Sequence, residues 1–335
     1  MQVIENNLKK ISLSDSKDLI YKSNTLARSK YDITLIQARF IAFLSSFVDK
    51  DDEDFFTYQI QIKPVLDFLE IDRTNLKYLS NTLKQLQTTL ICIQDDDEAE
   101  AYATFLSFFK LDKKNELLEF RFDSSLKKHY VQLKNNFTTL EIANYKKFES
   151  VFTIKIYEFI KSNFQLYKKY ENSLFREFII DTDEFRNKIA SKLNKGKFEV
   201  PKSYLLYKNF KSNVLEVARK ELLEKSDIYF EYEEIKTNRA VKELKITIIQ
   251  NAQSIKKEFL KKKNELLKSS TKHKQIAQEQ IKRLMSRNKE KIKEPLKYEQ
   301  KLFRMFLNGT LIYDKDLQLI IDELDAKIFA DIGKK

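Results

Sequence analysis

One order of elements occurs twice along this chain of 335 residues. From about 32 to 122 the hydropathy pattern reads helix, strand, helix, helix, hairpin, and from about 148 to 249 it reads the same again. The likeness is one of pattern rather than residue identity. It constrains the chain to two modules of one design.

In the first copy, Thr34 and Gln37 have the spacing of a capping box. They precede a helix that carries Ile36, Phe40, Phe43, Leu44 and Phe47. Phe56, Tyr58, Ile60 and Ile62 alternate as in a strand. Pro64 stands in the first turn of a helix, where its missing N–H costs nothing. Asp72 caps a second helix with Leu76, Leu79, Leu83 and Leu86 on one face, and a strand follows at about 88–94. A hairpin closes the copy: Tyr102 to Leu111, a turn at 112–115, then Leu118, Phe120 and Phe122 alternating back. In the second copy a helix at roughly 148–164 turns Ile156, Tyr157, Ile160 and Phe164 inward. A strand runs from Leu174 to Ile180, and Asp181 caps a short helix with Glu184 at its third position. After a loop holding Gly196 and Pro201, Ser203 is placed to cap a helix with Phe210, Val214, Val217, Ala218 and Leu222 inward. Ile228, Phe230 and Tyr232, a turn at 236–239, and Leu244, Ile246 and Ile248 form the last hairpin.

A helix-turn-helix whose second helix leads into a two-stranded wing is the winged-helix plan. The expected fold is α+β and helix-rich, with two tandem winged-helix domains followed by a charged helical C-terminal tail. The divisions expected are a polar lead-in at 1–30, a first winged helix at 31–135, a second at 136–250 and the tail at 251–335.

Composition removes most chemistry. There are two histidines, His129 and His273, and one cysteine, Cys92. The histidines stand too far apart for the His-x-His metal pair of rolling-circle nucleases, and no set of His and Cys suits zinc. A phosphate-binding GxxxxGK[ST] loop is absent. The acidic run Asp95–Glu98 has no second carboxylate group at defined spacing and reads as a solvated loop. The expectation is a protein without enzymatic activity, cofactor or metal. Cys92, flanked by Leu90, Ile91 and Ile93, reads as strand core. The first residues lack the blocks of a secretory signal, and no run of about 18 apolar residues suits a membrane span. A cytoplasmic protein with no membrane partner is expected.

The net charge is +12, from 62 basic and 50 acidic residues, which favours a polyanionic partner. Most of the excess lies in residues 251–304, with 17 basic and 6 acidic residues. A DNA-facing surface in the first 250 residues therefore needs segregation of charge. The helix beginning near 203 offers one. Its polar side carries Lys208, Asn209, Ser212 and Asn213, with Lys202, Ser203 and Tyr204 at its start, suited to base edges in a major groove. Lys211 on its shoulder, and Lys236 and Arg239 at the wing tip, are placed for phosphates. The first module has a parallel surface in Lys77, Asn81 and Lys84, beside Asn75, Tyr78 and Gln85, with Lys113 and Lys114 at its wing tip. A DNA contact and a protein contact both fit that surface.

Several blocks resemble one family. Ser23-Asn24-Thr25-Leu26, followed by Tyr31-Asp32-Ile33-Thr34, is similar to the opening signature of the RepB/RepE-type plasmid replication initiators, the Rep_3 superfamily. Leu83 to Gln87, the segment Phe148 to Glu158, and Phe210 to Leu215 with Ala218, Glu221 and Ser226-Asp227 resemble further blocks of that family, in order, within residues 20–250. One departure is Lys155, where members more often carry Arg. The resemblance implies a cytoplasmic protein that binds double-stranded DNA at direct repeats (iterons) of a plasmid origin. The second winged helix would be the main reader, and the first would give further DNA contact or dimerisation. It also implies a monomer–dimer equilibrium and recruitment of the host replicative helicase and host initiator. Two other readings stay open: a winged-helix transcriptional regulator without initiator activity, and a helical interaction protein whose tail meets membrane or RNA. The tail lacks the aromatic interleaving or sustained apolar face that the last would need.

Overall fold

The computed structural model describes residues 8–95, 99–166 and 175–251, with Ile281, Met285, Ser286 and Leu302 beyond them. The chain divides into two compact units, Met1–Asn251 and Ala252–Lys335. In the second, Ile281 and Leu302 are buried helical positions. The remainder of the expected charged tail, including His273, lies outside the described residues, as do the acidic run at 96–98 and Leu174.

The first module begins earlier than its pattern suggests. Within the lead-in expected at 1–30, the described residues form β1 (Leu8–Lys10), β2 (Leu19–Ser23), α1 (Asn24–Ala27) and, with Tyr31, β3 (Lys30–Tyr31). Ile11, Ile20, Leu26 and Tyr31 are buried, spaced too irregularly for either simple period to show them. Then come α2 (Leu35–Ser45), β4 (Thr57–Gln61), α3 (Ile62–Leu69), α4 (Leu76–Thr88), β5 (Leu90–Asp95), β6 (Glu100–Thr104), β7 (Leu106–Asp112), β8 (Leu117–Phe122), α5 (Lys127–Tyr130), β9 (Phe137–Glu141) and α6 (Ile142–Lys147). The Thr34 capping box forms: Gln37 N donates to Thr34 Oγ1 at 3.3 Å, and Thr34 N to Gln37 Oε1 at 2.7 Å. The expected strand from Tyr102 to Leu111 is two strands in different sheets. Phe105 and Leu106 are both buried, which breaks the alternation and turns the chain from β6, paired with β5, to β7, paired with β8. Cys92 is buried in β5, opposite Tyr102.

The second module comprises α7 (Val151–Leu166), β10 (Phe175–Asp181), α8 (Thr182–Ala190), β11 (Lys192–Asn194), β12 (Lys197–Glu199), α9 (Lys202–Leu205), α10 (Tyr207–Phe210), a π turn at Lys211–Leu215, α11 (Glu216–Lys225), β13 (Ile228–Thr237) and β14 (Ala240–Gln250). Asp181 caps α8, accepting from the N–H groups of Asp183 and Glu184. The expected loop at 192–199 is a small hairpin. Its turn residues Lys195 and Gly196 have φ of 49° and 84°, the left-handed pair that a two-residue hairpin turn requires.

Sheet order shows the duplication directly. The first module has β1-β4-β8-β7 and the second β10-β14-β13. Without the added edge strand β1, each sheet places the strand before the helix-turn-helix next to the returning strand of the wing, antiparallel to it. Tyr58 stacks on Phe120 at 5.2 Å across the first pairing, and Phe178 faces Ile246 across the second.

Helix α7 joins the two copies through buried polar groups. Glu158 on α7 accepts from Lys22 Nζ at 2.6 Å, Tyr145 Oη at 2.6 Å and Tyr31 Oη at 3.3 Å. Burial opposes the charge on Lys22, but Glu158 more than offsets it and raises the ammonium's pKa. Lys155 donates to the Tyr31 carbonyl at 2.6 Å, and burial holds its ammonium down to about 8. On the other side of α7, Tyr157 donates to Asp227 at 2.9 Å, and Lys161 pairs with the same carboxylate. Removing one member of such a buried set strands a charge, at a cost of about 3–5 kcal/mol.

Candidate nucleic-acid interface

The second reader is a jointed rod. α9 and α10 meet at Leu206, whose ψ of 113° is extended rather than helical. The Ser203 cap expected from the sequence does not form: Ser203 lies exposed inside α9, which Pro201 precedes. The joint is held from beneath by Arg186 on α8. Its Nη1 donates to the carbonyls of Tyr204 at 3.0 Å and Leu205 at 2.5 Å, its Nη2 pairs with Asp183, and its guanidinium lies 5.9 Å from the Phe210 ring. Asn209 Nδ2 donates to the Ser203 carbonyl at 2.9 Å from above. The π turn then inserts an extra residue, which rotates the faces that follow. Phe210, Val214, Leu215, Ala218 and Leu222 are buried, whereas Val217, expected inward, is 41% exposed.

The candidate side chains divide into free and engaged groups. Lys202, Ser203, Lys208, Ser212 and Asn213 are exposed. Among the described residues no carboxylate pairs with Lys202, Lys208 or Arg239. Tyr204 is half-buried, its ring edge-on to Phe152 at 5.7 Å, so its expected place at the front of the reader becomes a packing role. Lys211 leans to the wing: its Nζ is 2.7 Å from Glu234 Oε1, which also accepts from Tyr207 Oη at 3.0 Å. The hydrogen bond from Lys211, with that from Tyr207, holds the Glu234 carboxyl below its ordinary range. Lys236 stands 3.9 Å from the same carboxylate. At the wing tip Asn238 and Arg239 have φ of 50° and 69°, which presents Arg239 outward in a tight turn.

The first reader is a plain helix. Asp72 receives the N–H of Thr74 at 2.8 Å ahead of α4. Lys77, Asn81 and Lys84 are exposed along it, Tyr78 is 46% exposed, and Gln85 accepts from Gln37 at 2.8 Å. Lys113 and Lys114 are exposed at the β7–β8 turn. Asp112 fixes that turn by accepting from the N–H groups of Asn115 and Lys114, both at 3.0 Å, which lowers its own pKa. Arg73 pairs with Glu116 and so ties the wing to the start of the reader. Each copy thus carries exposed polar groups on its second helix and exposed cations at its wing tip. Arg186, Leu205, Leu206 and Glu234 were not legible as site residues. The only trace was two adjacent leucines ahead of the reader's apolar stripe.

A polar cleft of about 540 Å³ lies between the copies, lined by Asp32, Thr34, Gln37, Gln85, Lys155 and Lys192 among others. Among the described residues no cluster of His, Cys, Asp and Glu could hold a metal ion, and no helix is long and apolar enough to cross a membrane.

The comparisons agree with this architecture. Residues 19–161 match the family model described as initiator replication protein, WH1, and residues 195–248 match that described as initiator Rep protein, WH2. No curated protein matches the chain. Among solved structures, a chain from the crystal structure of Pi initiator protein in complex with iteron DNA is similar in fold. Its TM-score is 0.56 at 19% identity, over 71% of this chain and 99% of that one. With both winged-helix models matched in order, the chain belongs to the family of initiator replication proteins.

Proposed function

We propose that this protein initiates plasmid replication by binding repeated sites, iterons, in double-stranded origin DNA, and that it does so without enzymatic chemistry, metal or cofactor. The observation that carries the reading is the duplicated module: two sheets of one strand order, each beside a helix with exposed polar groups and a wing tipped with cations. The similar Pi initiator fold was solved on iteron DNA, which supports the same ligand here. The second winged helix, which runs from α7 to β14 rather than from 136, is the main reader. Lys202, Ser203, Lys208, Asn209 and Ser212 meet base edges and the first phosphates, and Lys211, Lys236 and Arg239 meet the backbone. The first, through Lys77, Asn81, Lys84, Lys113 and Lys114, adds DNA contact or a dimer surface. The basic segment after 250 adds non-specific phosphate contacts. In the cytoplasm, a monomer–dimer equilibrium and recruitment of the host helicase and host initiator complete the role.

The test is a competition gel shift with the repeats of the plasmid's own origin against scrambled duplex. The expected preference is at least ~10³-fold. Replacing Lys208 and Ser212 together by Ala should erase most of it and leave non-specific binding. A double variant with undiminished preference overturns the site assignment. A regulator without initiator activity would bind, yet fail to support replication when the gene is supplied in trans to its origin.

A further inference from the structure

Leu205 and Leu206 are 59% and 65% exposed, adjacent, and set at the joint of the second reader. Exposed leucines on a mobile loop would need no explanation. These two are held firmly. The carbonyls of Tyr204 and Leu205 both receive Arg186, a buried side chain anchored by Asp183. The carbonyl of Leu206 receives the N–H groups of Asn209 and Phe210 at 3.0 and 3.2 Å, and Tyr204 packs on Phe152. A charged group is thus buried for the sake of a backbone bend whose outcome is to present two apolar side chains to water. Lys202 and Ser203 precede them and Lys208 follows, all exposed. A small apolar spot bordered by cations suits one surface: a major groove in which thymine methyl groups lie between phosphates.

We propose that Leu205 and Leu206 are specificity-determining residues that contact thymine C5-methyl groups in the repeat, with Arg186 as the residue that positions them. The inference rests on the reading of α9–α11 as the DNA reader. It adds an apolar code to the polar one, and so assigns an A·T-containing step to the part of the site facing the joint. Arg186 acts through the backbone and touches no base.

The experiment uses the full chain and origin-repeat duplexes in which thymines are replaced one at a time by deoxyuridine, which deletes a methyl group and preserves base pairing. Affinity should fall by about fourfold per contacted methyl, at one or two positions. The Leu205→Ala/Leu206→Ala variant should bind the thymine duplex more weakly and be indifferent to uracil at those positions. Leu205→Met/Leu206→Met, which retains apolar bulk on an exposed site, should keep the sensitivity. Arg186→Lys, which loses the two-pronged grip, should lose it in part, with Tm as a check on folding. A wild-type protein indifferent to every uracil overturns the proposal. So does an Ala variant that keeps the wild-type uracil pattern, including one whose sedimentation shifts, which would assign the leucines to a second copy of the chain. Repeat selectivity over scrambled DNA, measured in the same titration, separates these results from a failure of the DNA reading itself, which would overturn both.

Discussion

His129 carries the clearest pH response in the described chain. It is buried, its Nδ1 lies 2.7 Å from Ser23 Oγ, and burial with the nearby Lys128 charge holds its pKa to about 4, below an ordinary 6.5. Between those values the unfolded chain binds the proton and the folded one does not. Stability present above pH 6.5 is therefore lost as the pH falls towards 4. His129→Asn, which can keep the bond to Ser23, should flatten the decline of Tm between pH 7 and 5; an unchanged decline would show that another group titrates. Arg239 gives a second residue-scale test, because it sits in the left-handed region at φ 69°. Arg239→Gly should relieve strain of about 1 kcal/mol and raise Tm. It should also shrink the slope of log affinity against log salt by about 0.9, since one phosphate contact is lost. A slope that does not move would remove Arg239 from the interface. Single residues were legible where their roles are local. Thr34 and Asp181 cap their helices because a short polar side chain reaches the next free N–H groups, whereas Asp72, expected to cap α4, caps only the single 3-10 turn Arg73–Asn75 ahead of it, and Asn75 precedes α4 with no side-chain cap. Arg186 was not legible, because its partners lie 18 and 19 positions away on another element.

Among elements, the wing and its reader act as one piece. Glu234 on β13 holds Lys211 and Tyr207 and stands near Lys236. An anion there restrains one cation and repels the DNA backbone. Glu234→Ala should raise affinity for unrelated duplex and steepen its salt slope by roughly one ion. It should lower the preference for the repeats, because Lys211 and Tyr207 lose their fixed positions. Anisotropy titrations on both duplexes at several salt concentrations measure this, and a variant with better preference would contradict it. The strands of the second wing, the returning strand of the first and the apolar stripe of α4 were legible from period alone, whereas the break between β6 and β7 was not. The reader at 202–225 was legible only in outline. A helix-period reading assumes one unbroken rod, whereas the bend at Leu206 and the π turn at 211–215 each shift the faces that follow, which is why Val217 emerges into solvent.

In the whole molecule, several residues of the blocks that carry the family resemblance turn out to build the joint between the copies, and others fix the first module itself. Ser23 caps α1 and bonds His129, and Asn24 accepts from Thr138. Glu158 gathers Lys22, Tyr31 and Tyr145, and Asp227 gathers Asn144, Tyr157 and Lys161. Glu221 receives Thr153 and the N–H of Glu149. Glu158 and Asp227 unite the two modules through residues that lie in those blocks, so the fold was more legible than the site. The same joint explains why residues 8–31 are structural: they hold partners for α7 that no local pattern announces. The most direct test of the central claim, two copies of one module with the second as the main reader, is hydroxyl-radical footprinting of the full chain on its origin repeats. Wild type should protect every repeat. Lys208→Ala/Ser212→Ala should abolish that pattern, whereas changing Lys77, Lys84, Lys113 and Lys114 to Ala should weaken protection and leave the repeats distinguishable. Repeat-specific protection that survives the change in the second reader, or repeats protected no better than their flanks by the wild type, would contradict it.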